Sequence, residues 1–381
     1  MRFAALLFSL LIFAARASAQ DSFYDTSPAD IAGPPGTIIR SEPMPGSRTD
    51  ATTLRILYRS LGTDGQLIAV SGVLIVPNGA QDAKRPIVAW AHPTSGVIPR
   101  CAPSLAGFFY EQVQGLRTMI REGYVVVATD YSGLGTPQLH PYLIGVSEGR
   151  AVLDSVRAAQ TLAGASNRFI VWGHSQGGQA ALYTGLLAKT YAPDLQLMGV
   201  AAAAPATDLA TLFSDDIDTT GGRGLTAMTL WSWSQLFNTS LKKVVAPSAI
   251  LAVTALAHEC IESPIDIWAR HRSEKPLETA FLSVTDITQI EPWHSIMVNN
   301  TPGTLDPSIP VFLAQGAKDQ VVRPAVTQAY RGALCHAGSN VQFYWMPNAG
   351  HGVAAMKSAL AAIAWMGDRF AGTPAPSNCG A

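Results

Sequence analysis

A chain of 381 residues has room for one large α/β domain with an insertion, or for two ordinary domains. With 48% hydrophobic and 14% charged residues, it can fill a sizeable core behind a lightly charged surface. Lys and Arg number 26 against 27 for Asp and Glu, so no excess of charge points to nucleic acid or an anionic membrane, and a neutral or apolar substrate suits the balance.

Arg2, the apolar run from Ala4 to Ala15 and the small-x-small pattern Ala17-Ser18-Ala19 predict a signal peptide over 1–19, cut before Gln20. Twelve helical residues reach only about 18 Å, short of the ~30 Å hydrocarbon core. No later stretch is long and apolar enough to span, so a secreted or periplasmic chain without an integral membrane segment is expected. Residues 20–50, rich in Pro, Gly, Ser and Thr, read as an extended lead-in wrapping the domain. Strand-like runs at 54–59 and 67–76 flank Gly62-Thr63-Asp64-Gly65, a hairpin signal.

Short, continuous apolar runs at 87–91, 124–128, 169–172 and 197–201 predict strands buried on both faces. Helical spacing over 109–121, 143–162 and 177–189 alternates with them, which argues for parallel βαβ units. The alternation stops between 206 and 308 and resumes with strand 311–315, helix 324–334, strand 341–346 and helix 353–370. The reading is an eight-stranded, mostly parallel α/β core over 51–205 and 309–381, with a mainly helical cap inserted at 206–308.

Cys101, Cys260, Cys335 and Cys379 form no CxxC pair, and in an oxidising compartment they predict two disulfides in any of three connectivities. The rival zinc reading is weak, because His258 with Cys260 and Cys335 with His336 have no matching second pair at ligand spacing. No metal and no organic cofactor are expected.

Gly173-His174-Ser175-Gln176-Gly177 fits G-x-S-x-G. The pentapeptide is common by chance; an ordinary turn with a capping serine would also read this way. Its setting between the strand at 169–172 and a small-residue helix makes it specific, because a sharp strand-to-helix turn exposes the serine hydroxyl. Side chains at Gly173 and Gly177 would collide with neighbouring elements. A serine needs a base, and the base an orienting acid; in the α/β-hydrolase fold they follow in the order Ser, acid, His. Asp319, in Gly316-Ala317-Lys318-Asp319, follows the first strand after the cap, and His351, in Asn348-Ala349-Gly350-His351-Gly352, follows the last strand. Asp306 precedes its strand, His336 ends a helix, and His258, His271 and His294 belong to the cap. Ser175, Asp319 and His351 are therefore the expected catalytic residues.

The oxyanion hole needs two N–H donors. One is expected from the backbone of Gln176, the other from Thr94, which follows Pro93 in the loop after strand 87–91, or from Asp130. In the cap, Met228, Leu230, Trp231, Trp233, Leu236 and Phe237 read first as the cap's own core; a sharper reading has Trp231, Trp233 and Phe237 binding substrate, with Gly221-Gly222-Arg223-Gly224 as a hinge.

From about Arg55 to Cys379 the chain resembles the secretory lipases of the yeast lipase A type. The likeness rests on Cys101-Ala102-Pro103-Ser104, on Glu122-Gly123-Tyr124-Val125-Val126 with Asp130, on the run from Gly145 to Asp154, and on Tyr191-Ala192-Pro193. It implies the same triad, an oxyanion donor at Asp130 beside Gln176, and disulfides Cys101–Cys260 and Cys335–Cys379. Family members often have glycine where this chain has Gln176, and the yeast enzymes continue past the last cysteine with a flap. An esterase of shorter or soluble substrates is thus as good an expectation as a lid-controlled lipase. The expected activity is cleavage of a small-molecule or lipid ester through an acyl-enzyme. A peptidase or amidase on the same triad ranks lower, since the cap lacks an acidic cluster for a substrate amine, and a non-catalytic binding protein lower still. The sequence sets no oligomeric state.

Overall fold

The computed structural model describes residues 23–46, 50–79 and 84–380; the predicted signal peptide and its cleavage site lie outside them. The described strands are β1 (Ile38–Pro43), β2 (Ala51–Leu61), β3 (Leu67–Pro77), β4 (Ile87–Ala91), β5 (Val125–Thr129), β6 (Arg168–His174), β7 (Gln196–Ala203), β8 (Val311–Gly316) and β9 (Val341–Met346). They form one sheet in the order β1-β2-β3-β5-β4-β6-β7-β8-β9, antiparallel from β1 through β5 and parallel beyond.

The sheet therefore has nine strands where eight were expected, and the ninth lies in the lead-in. β1 pairs with β2 from Ile38 opposite Tyr58 to Pro43 opposite Leu54. It escaped the sequence reading because it is an edge strand with no buried position: Ile-Ile-Arg-Ser-Glu-Pro offers no sustained apolar run, and its proline is tolerated only at an edge. Glu42 pairs with Arg55 on β2, a further tie for this edge.

Helices α1 (Leu116–Arg121), α2 (Gly145–Ala163) and α3 (Gln176–Tyr191) connect the central strands. The single helix expected over 109–121 is broken at Gly115, which has φ 86° and no space for a Cβ against Ile363. Between β7 and β8 come α4 (Leu209–Asp216), α5 (Thr220–Leu236), α6 (Ile250–Ala257), α7 (Pro264–Glu274) and α8 (Trp293–Asn299); α9 (Pro324–His336) and α10 (Ala354–Phe370) complete the chain. Gly222 and Gly224, read from sequence as part of a hinge, lie in the first turns of α5. A Cβ at Gly222 would run into the backbone of Asp216 and one at Gly224 into Glu274, so these glycines let helices pack closely.

Apolar residues cover both faces of the sheet, which is why its parallel strands read as unbroken apolar runs. One face packs Val127, Phe169 and Val171 against Val152 of α2 and Leu182 of α3. The other carries Trp90, Trp172 and Phe312 in a core that continues without a break into Leu209, Trp233 and Trp293 of the inserted helices. Cys101 is bonded to Cys260, joining the loop after β4 to the segment after α6, and Cys335 is bonded to Cys379. From β4 the chain crosses to β5 on one side and then to β6 on the other, so the crevice at the carboxyl ends of β4 and β6 is the switch point where open α/β sheets take ligands.

Candidate active site

At that switch point Ser175 stands between the end of β6 and the start of α3, with φ 57° and ψ −119°. Such a conformation is strained for a side-chain-bearing residue. It is held by the Ser175 N–H, which donates to the Ala203 carbonyl at 3.0 Å, and by the Gly178 N–H, which donates to the Ser175 carbonyl at 2.9 Å. A Cβ at Gly173 would fall well under 3 Å from the carbonyl oxygen of Gly177, and one at Gly177 equally close to that of Ala91. Both glycines are thus demanded by backbone packing beneath the serine.

The loops after β8 and β9 bring Asp319 and His351 to Ser175. His351 Nε2 lies 2.9 Å from Ser175 Oγ, and His351 Nδ1 lies 2.9 Å from Asp319 Oδ2. The Asp319 side chain is fully buried. Its Oδ1 accepts the N–H groups of Val321 and Val322, each at 2.9 Å, and its Oδ2 also accepts the Gln315 amide at 3.2 Å. Four donors thus fix one carboxylate, leaving it no freedom to swing from the imidazole.

His174 supports the same loop from below. Burial, aided by His351 nearby, pushes its pKa down to about 3, so it is neutral and holds the His351 carbonyl through Nε2 at 3.0 Å. Gln176 occupies the first position of α3, where a backbone N–H has no intrahelical acceptor. Its side-chain amide donates to Glu148 Oε1 at 2.8 Å, and Glu148 also accepts the Leu143 N–H at 3.2 Å. Burial pushes the Glu148 pKa up to about 8, partly offset by the hydrogen bond from Gln176. Neither the His174 nor the Glu148 role was read from sequence; a charged residue inside an otherwise apolar helix face was the signal available for Glu148.

The two residues considered for the second oxyanion donor sit in different places. Asp130 is fully buried; its N–H donates to the Ser71 carbonyl at 2.8 Å, and its carboxylate is taken by Ser71 and Ser104. Thr94 lines the same pocket as Ser175 and Gln176, with its hydroxyl 2.7 Å from the Tyr142 hydroxyl.

That pocket, about 40 Å³, runs from Ser175 between α4 and α5, walled by Leu209, Leu212, Phe213 and Val322. Asp216, Thr226 and Thr229 also line it. The aromatic residues singled out in the cap lie elsewhere. Trp233 is fully buried, donates its indole N–H to the Tyr142 carbonyl at 2.7 Å and stacks on Phe213. Trp231 packs edge-on against His258, and Phe237 is exposed. None of the three lines the pocket. Among the described residues no group of three or more His, Cys, Asp or Glu is placed to hold a metal ion, and no helix is long and apolar enough to cross a membrane.

The family model for secretory lipases matches residues 111–378. A secreted triacylglycerol lipase of Malassezia globosa is 26% identical over 96% of this chain and 82% of its own length. The trichothecene C-3 esterase of Fusarium sporotrichioides is 23% identical over 92% of this chain and 83% of its own. Candida antarctica lipase A superposes with a TM-score of 0.79 at 18% identity, covering 94% of this chain and 87% of that one. The rice cell wall degrading esterase LipA of Xanthomonas oryzae gives 0.68 at 20% identity, covering 86% and 95%.

Proposed function

The chain belongs to the secretory lipase family and is a carboxylic ester hydrolase, and from that premise we propose that Ser175, His351 and Asp319 carry out the cleavage. The observation that carries the reading is the unbroken line from Asp319 Oδ2 through His351 to Ser175 Oγ, each link 2.9 Å long. His351 takes the serine proton as the oxygen attacks the ester carbonyl, and Asp319 stabilises the imidazolium that results. The charge on the carbonyl oxygen is received by the N–H of Gln176 at the positive end of α3 and by the N–H of Thr94. Thr94 is preferred to Asp130 because the Asp130 N–H already serves Ser71. His351 then protonates the departing alcohol, and water activated by the same histidine frees the acid from Ser175.

The inserted helices act as a cap, with residues 206–308 as its span. The narrow pocket beside Ser175, walled by Leu209, Leu212, Phe213 and Val322, suits a short acyl group, so the preferred substrates are short-chain, small-molecule esters. Kinship with secreted enzymes supports work outside the cytoplasm, with cleavage of the leader after Ala19.

The test is hydrolysis of p-nitrophenyl esters from acetyl to palmitoyl by the mature protein beside Ser175→Ala. Rates should peak at short chains and fall by about 10³-fold or more in the variant, with the thermal midpoint kept. Undiminished turnover by the variant would remove Ser175 from the mechanism, and a peak at palmitoyl would overturn the short-acyl preference.

A further inference from the structure

Besides Ser175, the pocket's polar lining is Thr94, Tyr142 and Gln176 together with Asp216, Thr226 and Thr229; the rest is apolar. Asp216 ends α4 and is 8% exposed, and its Oδ1 is buried with no hydrogen-bond partner among the described residues. Thr226, 2% exposed on the first turns of α5, faces the same pocket, and its hydroxyl likewise has no partner there. Thr229, one turn on, lines the pocket with a hydroxyl that donates to the Leu225 carbonyl and keeps its lone pairs free to accept. Burying a carboxyl and a hydroxyl without partners costs free energy, so an apolar residue at either position would favour the fold alone. The segment carrying Asp216 is also anchored: Arg323 pairs with Asp215 at 2.8 Å and with Asp218 at 3.2 Å, which leaves Asp216, between them, turned inward.

We propose that Asp216 and Thr226 form a polar subsite that selects esters whose short acyl group bears a hydroxyl. This deepens the ester-cleaving reading above and rests on it. The pocket belongs to the acyl half of the substrate, because it opens from Ser175 beside Thr94 and Gln176, whereas His351, which must reach the leaving alcohol, lies outside its walls. A hydroxyl is the matching group, since it gives and accepts one hydrogen bond and so satisfies both orphaned atoms. A cationic acyl group matches less well. Burial, with Asp215 next and Asp319 also nearby, pushes the Asp216 pKa up to about 8 against the opposing pull of Arg323, so at neutral pH the group is a neutral acid.

The experiment compares kcat/KM for p-nitrophenyl butyrate and p-nitrophenyl β-hydroxybutyrate, with wild type, Asp216→Asn, Asp216→Leu and Thr226→Val measured side by side. Wild type should favour the hydroxylated ester by about 10-fold or more. Asp216→Leu should cut that ratio by about 10-fold, Thr226→Val by less, and Asp216→Asn, which keeps a donor and an acceptor, should retain most of it. A ratio near one in wild type, or one that Asp216→Leu and Thr226→Val both leave unchanged, would overturn the subsite and assign the two groups to bound water or to the fold. Absence of Ser175-dependent hydrolysis of both esters would instead overturn the ester-cleaving reading on which the subsite rests. Should Asp216→Leu fail to fold, Thr226→Val carries the comparison.

Discussion

Glu148, held against the Gln176 side chain beneath Ser175, and Asp216, in the pocket above it, are carboxyls raised by burial to about 8, while the buried imidazoles of His92 and His140 are pushed down to about 4 and that of His174 to about 3. An acid raised by folding binds more protons in the native state, so its stabilisation is present below its unfolded pKa and fades as pH rises through the folded value. A depressed histidine works in the opposite sense: its stabilisation is complete above about 6.5 and is lost as pH falls towards the folded value. The two sets oppose each other up to pH 6.5. Above it, of these groups, Glu148 and Asp216 alone still act, so their contribution to stability should fall between pH 6.5 and 8. Glu148→Gln, which keeps the bond to Gln176 and removes the titration, should flatten that fall. Denaturant midpoints at the two pH values decide it: an equally steep fall in the variant removes Glu148 as a cause. At this scale the meeting of Ser175, Asp319 and His351 was legible because strand-loop order alone singles them out, and the proposed triad rests on that meeting. Asp216 and Thr226 were not, since an acid and a threonine in a helix read as solvent-facing until the partner helix is known.

The elements divide along the same line. Strands β4, β5 and β6 were readable because a strand buried on both faces has no polar positions to confuse its period. α5 was obscured by its own glycines, which mark a hinge in an isolated sequence, whereas here Gly222 and Gly224 mark close approach. Two neighbouring glycines separate the alternatives. Gly222→Ala drives a methyl group into the Asp216 backbone and should destabilise by about 1–3 kcal/mol. Gly221 meets nothing within 4 Å, so Gly221→Ala should stabilise α5 by about 0.5–1 kcal/mol through helix propensity. Thermal or denaturant unfolding of the pair checks both signs; a hinge that must flex would instead lose activity in both variants without a stability difference.

For the whole molecule, the inserted helices share a core with the sheet and are also tied to it by Cys101–Cys260, across 159 residues of chain. Closing a loop of that length restricts the unfolded chain by about 5 kcal/mol on the loop-entropy account. The paired change Cys101→Ser with Cys260→Ser should therefore lower unfolding stability by several kcal/mol. It should also loosen the wall that α4 and α5 give the pocket, read as a rise in KM for short esters larger than any fall in kcat. Unchanged stability would show the shared core to be sufficient by itself. The even cysteine count pointed to such ties, but nothing in the sequence between β7 and β8 announces that its helices continue the core of the sheet. Ser175 and His351 are separated by 176 residues, with the helices between β7 and β8 among them. At ribosomal speeds of about 5–20 residues per second, Ser175 is made roughly 9 to 35 s before His351. On the proposed mechanism, the nascent polypeptide therefore carries its nucleophile without a proton acceptor until the last strand and its loop fall into place.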